Sequence, residues 1–404
     1  MARSMFRPSS DHPDPLATLE GEDRMKKLLS LLIPGLAACA GHVEPDRHAP
    51  RVVQMEPWAQ GMCGLFDDQQ VRCWGYDAPH EVWNVRGLTG VTFAATDDSG
   101  REGRICAVSA AGTMACVIAE CVAKATLDCT PKRLPYDVHV TPRVVSASLD
   151  IWGGAALRAD GTFQAWGSGV PECFDAPPYL TANGLNQSAY DRVIAPQALA
   201  RPIVALDHGG TNICFVTDDG RVYCTQAFLD GSLPTCAWPP AAVQEIGTTT
   251  DVQDATAVTA SSYLVCILHQ TGHVSCYGEE LLLGCGGTSN EFTHAEVSTI
   301  DDAVAIAGSS IATCVIRSDG SLWCWGDDME GMLGVEPMPD SFDEVGLPVY
   351  PQVPSPRRVE GLTDVQVIGM SDGYVCASEA DGDIWCWGWP TGPTPYRIVV
   401  PPAE

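Results

Sequence analysis

Six cysteine pairs recur in this chain at one spacing, the second cysteine ten residues after the first: Cys63 and Cys73, Cys106 and Cys116, Cys214 and Cys224, Cys266 and Cys276, Cys314 and Cys324, Cys376 and Cys386. The clearest copies read TCVIRSDGSLWCWG, VCASEADGDIWCWG and ICFVTDDGRVYC. A seventh copy, AALRADGTFQAWG, keeps Asp160-Gly161 and Trp166-Gly167 but carries Ala155 and Ala165 at both cysteine positions. Independent thiols or metal ligands would be lost singly as readily as jointly. A disulfide loses its use once either half goes, so the joint loss argues for a bridge within each copy.

The spacing fits a hairpin. Counting inward from Cys314 and Cys324 leaves the three-residue loop Ser318-Asp319-Gly320. Such loops end in a left-handed residue, which glycine adopts at little cost. Gly112, Gly161, Gly220, Gly272, Gly320 and Gly382 hold that position, and only Gln69 departs. Opposed residues of an antiparallel pair lie close enough to bridge, and each short closed loop contributes roughly 2–3 kcal/mol in the loop-entropy account.

The first positions of the copies are 63, 106, 155, 214, 266, 314 and 376, giving intervals of 43, 49, 59, 52, 48 and 62 residues. A unit recurring near 50 residues is the mark of a propeller or solenoid. Each unit also has a short apolar stretch ahead of its hairpin, as in DAVAIAGSS at 302–310, and a Pro-containing piece such as SPRRVEG at 355–361. Four short strands per unit predict an all-β, seven-bladed propeller. APRVVQM at 49–55 matches TPRVVSA at 141–147, so the propeller is expected over 50–404. The last such piece, TPYRIVV at 394–400, is expected to complete the blade holding the N-terminus.

These units resemble the repeats of the regulator of chromosome condensation (RCC1) type, over nearly the whole chain after Pro50. DDMEGMLG, which follows Trp325-Gly326, is similar to that family's Gly-Gln-Leu-Gly tail. Val117-Ile118 and Thr225-Gln226 depart from its Trp-Gly. The resemblance implies a binding platform and no particular activity.

Residues 25–38, MKKLLSLLIPGLAA, followed by Cys39, resemble a bacterial lipoprotein leader: a basic front, a short apolar core and small residues at the cut. On this reading 1–24 is a mis-assigned start or an extension, Cys39 carries the lipid and 39–49 is a tether. The membrane is then met only through the anchor. An exported, outer-membrane or surface location in a Gram-negative bacterium follows, and suits the disulfides. Twelve of the 18 cysteines lie in the repeat pairs and one is Cys39, which leaves Cys121, Cys129, Cys173, Cys236 and Cys285, whose connectivity the sequence leaves open.

With 23 basic and 51 acidic residues the net charge is −28, which argues against binding a phosphate backbone. The richest acidic stretch, at 327–346, offers Asp327, Asp328 and Glu330 as a weak calcium candidate, though without a regular calcium loop; no other cofactor is expected. His80-Glu81 begins like a zinc-protease helix, but Asn84 stands where the second histidine is required. Gly284-Cys285-Gly286-Gly287 lacks the context of a phosphate cradle. No catalytic motif emerges. The sequence therefore reads as a monomeric, non-enzymatic platform for a protein or other envelope macromolecule. Inhibition of an extracellular enzyme is one alternative, and an exported hydrolase or lyase with a site on the loop face is another. The long post-hairpin segments are expected to crowd one rim, with Phe174, Tyr179, Tyr190, Trp238 and Phe342 as aromatic anchors. Trp74, Trp166, Trp325 and Trp387 are expected in the core.

Overall fold

The computed structural model describes residues 50–58, 61–75, 81–96, 104–118, 143–150, 153–167, 201–209, 212–224, 244–245, 252–261, 263–287, 292–328, 331–334, 341–342, 348–349 and 352–400. These belong to one compact unit, His48–Glu404.

Blade 1 comprises β1 (Val52–Trp58), β2 (Gly61–Phe66), β3 (Gln70–Gly75) and β4 (Val82–Thr89). In blade 2, β5 (Val91–Thr96), β6 (Arg104–Ser109) and β7 (Met114–Ile118) are described, and in blade 3, β8 (Val144–Asp150), β9 (Gly153–Arg158) and β10 (Phe163–Gly167). Blade 4 has β11 (Ile203–Gly209), β12 (Asn212–Thr217), β13 (Val222–Cys224) and β14 (Gln244–Glu245). Blade 5 has β15 (Ala255–Ala260), β16 (Leu264–His269), β17 (Val274–Glu279) and β18 (Phe292–Glu296). In blade 6, β19 (Ala303–Gly308), β20 (Ala312–Arg317) and β21 (Leu322–Gly326) pair on to β24 (Val353–Arg358), and the ribbon β22 (Ser341–Phe342) with β23 (Pro348–Val349) lies between. Blade 7 closes the chain with β25 (Val365–Met370), β26 (Tyr374–Glu379), β27 (Ile384–Gly388) and β28 (Gly392–Ile398).

The inner strands β1, β5, β8, β11, β15, β19 and β25 touch in that order, and β25 returns to β1, so the seven blades form a closed ring. Each inner strand carries a bulge after its first residue, at Val53, Thr92, Val145, Val204, Thr256, Val304 and Gln366. One extra residue per strand increases local twist, and repeating it seven times curves every blade alike.

All six expected disulfides form between directly opposed residues, with Cα–Cα distances of 4.0–4.1 Å. In blade 3, Ala155 and Ala165 occupy the same register. The Ser318-Asp319-Gly320 loop closes as expected, with Gly320 N donating to Arg317 O at 2.9 Å. Its glycine is required twice over. Its φ is +76°, and an added Cβ would lie 2.6 Å from Asp364 Cα at the start of blade 7. The contact exists because Gly320 O accepts the Val365 amide at 2.9 Å. Blades 2 to 5 repeat the bond from Gly112, Gly161, Gly220 and Gly272 to Val144, Ile203, Ala255 and Ala303.

Trp74, Trp166, Trp325 and Trp387 are buried, as expected, and each packs on the disulfide of the preceding blade. The expected exchange of the last strand does not occur. β28 pairs with β27 of its own blade, and β1 to β4 make a complete sheet without it. Each repeat begins at an inner strand and ends at an outer one, so no strand is left over at the seam. Side chains close the ring instead: Trp74 of blade 1 places Nε1 3.2 Å from Cys386 Sγ and 3.5 Å from Cys376 Sγ of blade 7.

The close approach at the turn glycine gives a direct test. Gly320→Ala should destabilise the fold by clearly more than Gly90→Ala, which also has positive φ (+65°) but an open surround. The latter should cost about 1–2 kcal/mol, the left-handed penalty alone. Urea midpoints of the two variants measure the difference, and equal shifts would overturn the inter-blade account.

Candidate functional site

Position in the repeat determines what reaches the axis. The inner-strand residue opposite the first cysteine is Glu56 in blade 1, Ala95 in blade 2, Ser148 in blade 3, opposite Ala155, and Asp207 in blade 4; Thr259, Ala307 and Gly369 follow in blades 5 to 7. The sequence holds a signal for this ring. In every blade but the second the residue lies seven places before the first cysteine position, and four of those six are polar in strands otherwise rich in small and aliphatic residues.

All of these except Ala95 line a cavity of about 570 Å³ on the axis, together with residues at and just beyond the inner-strand ends, among them Ser310 and Asp372. The third strand of a blade runs back toward the start of the second, Gly75 lying opposite Gly61, Gly278 opposite Leu264 and Gly326 opposite Ala312. Connections toward the fourth strands therefore leave from the face on which the inner strands end, toward which the cavity lies.

Asp207 is fixed from three blades. Its Oδ1 accepts the Ser148 hydroxyl of blade 3 at 2.8 Å and the His208 amide at 2.9 Å, and Oδ2 accepts the Ala260 amide of blade 5 at 2.9 Å. Asp372 repeats the motif, its Oδ1 accepting the Ser310 amide of blade 6 at 2.7 Å. Burial pushes the Glu56 carboxyl up to about 8, the Asp207 charge adding to the shift and the Gln54 amide opposing it. Gln54 Nε2 donates to Glu56 Oε1 at 2.8 Å. Burial drives the His208 imidazole down to about 4 against the pull of Asp207. At neutral pH this side of the wall thus holds a protonated Glu56 and a neutral imidazole.

The sequence-derived candidates fall elsewhere. Cys39, Phe174, Tyr179, Tyr190, Trp238 and Glu330 lie outside the described residues, as do Cys121, Cys129, Cys173 and Cys236. Phe342 sits on the ribbon between β21 and β24. Cys285 is an exposed free thiol. Of the calcium candidates, Asp328 is buried, its Oδ1 accepting the Leu333 amide at 2.8 Å, and burial raises it to about 6. It caps the turn that carries Met332 and Leu333 under Trp387, whose Nε1 donates to Met332 O at 2.8 Å. The glycine-rich 284–287 segment has the corresponding role in the preceding blade, a Cβ on Gly284 meeting Trp325 Nε1 at 2.7 Å. Among the described residues no group of three or more His, Cys, Asp or Glu is placed to hold a metal ion.

The ring and its repeat define the class of protein, a seven-bladed β-propeller built from RCC1-like units. No known family's sequence profile and no curated protein sequence matches the chain. Solved structures match by shape. Human WBSCR16 aligns with TM-score 0.57 and 16% identity over 80% of this chain and 85% of its own. Yeast RCC1 (Prp20), crystallised with Kap60, aligns with TM-score 0.51 and 16% identity over 86% of this chain and 75% of its own. Prp20p of Saccharomyces cerevisiae, described with its binding properties to Gsp1p and histones, aligns with TM-score 0.52 and 15% identity over 86% and 77%. At such identities the likeness is one of fold.

Glu56 carries a pH signature. From its ordinary 4.5 up to about 8 the folded chain keeps a proton that the unfolded chain has released, so its contribution lowers stability as pH rises and levels off above 8. His208 acts in the opposite sense between 6.5 and about 4. Glu56→Gln should therefore gain stability relative to the parent chain as pH rises from about 5 to about 8.5. Urea titrations across that range check it, and a pH-independent difference would refute the buried-acid assignment.

Proposed function

We propose that this protein is an exported, lipid-anchored propeller of the cell envelope that binds another protein at the face where its inner strands end. The observation that carries the reading is the strand order. It sets the ends of β7, β10, β13 and β21, from which the longest non-repeating segments depart, at one face of a scaffold whose blades carry six disulfides among the described residues. Variable loops on a rigid frame are where recognition concentrates. Prp20, which shares the fold, is described in complex with Kap60 and for its binding to Gsp1p and histones, which supports protein recognition here. The net charge of −28 directs the choice of partner away from nucleic acid and toward a basic surface.

Export is supported by the leader at 25–38 and by the disulfides, which persist in oxidising compartments. Among the described residues no helix is long and apolar enough to cross a membrane. Lipid on Cys39 supplies the attachment in this reading, and the Asp327–Asp328 region serves as a packed turn.

Two measurements test the proposal. Cys39→Ser should move the expressed chain from the detergent phase to the aqueous phase in a partition assay; unchanged partition would refute the anchor. The full chain, immobilised and exposed to envelope and secreted proteins, should enrich one protein saturably, and a variant shortened within 168–200 should enrich it far less. Failure of the full chain to enrich any protein would remove protein recognition as the function.

A further inference from the structure

The polar ring at the axis has a chemistry of its own. Its acidic wall residues are Glu56, Asp207 and Asp372; among the described residues no Lys or Arg lines the cavity, and burial keeps His208 uncharged. The two aspartates are pre-set rather than loose, since amides of neighbouring blades hold both. A carboxylate oxygen has two acceptor sites, so Asp207 Oδ2 can take a further donor beside the Ala260 amide. Close by, buried Asn212 donates to Ser261 O of the cavity wall at 2.7 Å, and its Oδ1 has no partner among the described residues. The wall is also partly apolar: Met55, Leu149, Leu206, Ile306, Ile368 and Met370 stand among the acids.

Acids set among aliphatic side chains suit a cation on a methylene stem. A bare metal ion calls for several oxygen ligands at short range, and the described residues offer no such group. Lysine and arginine have the required form, an apolar stem ending in a charged head. The cavity, about 570 Å³, is within the size range of ordinary ligand sites. Resting on the reading of this face as a protein-recognition surface, we infer that the axial cavity receives one cationic side chain of the partner, its head group held by Asp207, Glu56 and Asp372 and its stem by the aliphatic wall.

The fold does not require an acid at the register position of Glu56 and Asp207. Ala307 and Gly369 fill the same register position in blades 6 and 7. Arrival of a cation favours the ionised form of Glu56, so binding releases a proton and strengthens as pH rises toward 8. The titratable groups facing Glu56 from the other packed strands are Asp207 and His208 of β11 and, just beyond β25, Asp372.

The test uses n-butylammonium as a probe of the lysine head and stem, with n-butanol as its neutral counterpart and Ca²⁺ as a bare cation, each titrated into the full chain and followed by amide NMR shifts. The expected result is saturable butylammonium binding with shifts centred on the cavity residues, stronger at pH 8 than at pH 6. It should weaken about tenfold or more in Glu56→Gln and in Asp372→Asn, the loss of a charge-assisted hydrogen bond. These two variants leave the Asp207 junction intact, so folding is retained if Asp207→Asn proves unstable. Equal binding of butanol, preferential binding of Ca²⁺, or no butylammonium shifts in the cavity would each overturn the inference. The outcomes separate the two claims: a captured partner with no cation site refutes the plug alone, whereas a cation site without any captured protein refutes the recognition reading and leaves the site's chemistry standing.

Discussion

One contact recurs at the seams of this ring: the side chain that follows the second cysteine of a blade lies on the disulfide of the blade before it. Trp74 covers Cys376–Cys386, Trp166 covers Cys106–Cys116, Trp325 covers Cys266–Cys276 and Trp387 covers Cys314–Cys324. Tyr277 does the same for Cys214–Cys224, and Val117, with Trp58 beside it, for Cys63–Cys73. Sulfur against an aromatic ring is a favourable contact, and each tryptophan also removes a large apolar area from water. The disulfide holds two strands of one blade together, and the ring above it holds the next blade in place. Because Trp74 makes this contact back to blade 7, the first and last blades join without exchanging a strand.

That dependence explains the irregular copies. Blade 3 has lost both cysteines, and blade 4 has Thr225 where the covering tryptophan belongs. The two changes fall in adjacent copies of the repeat, blades 3 and 4. There Ala155 and Ala165 leave room that Phe163 and Phe215 fill, their ring centroids 4.3 Å apart. Loss of a bridge and loss of a covering tryptophan thus occur in neighbouring blades, where aromatic packing takes over from sulfur and indole.

Much of this was legible in the residues. The ten-residue cysteine spacing and the turn glycines gave the hairpins, the bridges and the count of seven, because both are local rules acting on adjacent strands. The closure was misread because TPYRIVV resembles an outer strand without saying which blade it joins, a matter of where the repeat begins in three dimensions. The axial acids were missed for a similar reason. Singly, Glu56 and Asp207 look like ordinary polar residues near a strand end, and they emerge only when all copies are set in register and the same position reads Glu, Ser, Asp, Thr, Ala and Gly. Aromatic residues in the long segments offered no such cross-check, since those segments do not repeat.

Register also separates what the fold needs from what it carries. Where most blades agree, in the turn glycine or the covering aromatic, the residue serves a junction that recurs around the ring. Where blades differ at a position with the same surroundings, architecture has left the choice free. Alanine and glycine complete the inner strands of blades 6 and 7, so the strand itself does not call for an acid at this position. Glu56 and Asp207 are held at a cost, which the upward shift of Glu56 to about 8 makes visible: a carboxyl screened from water and facing another acid gives up its charge. A propeller that needed only to fold would gain by replacing it with alanine. Retaining an acid whose charge the cavity opposes, beside a carboxylate fixed from three blades, is the arrangement of a site whose balance is completed by something positive from outside.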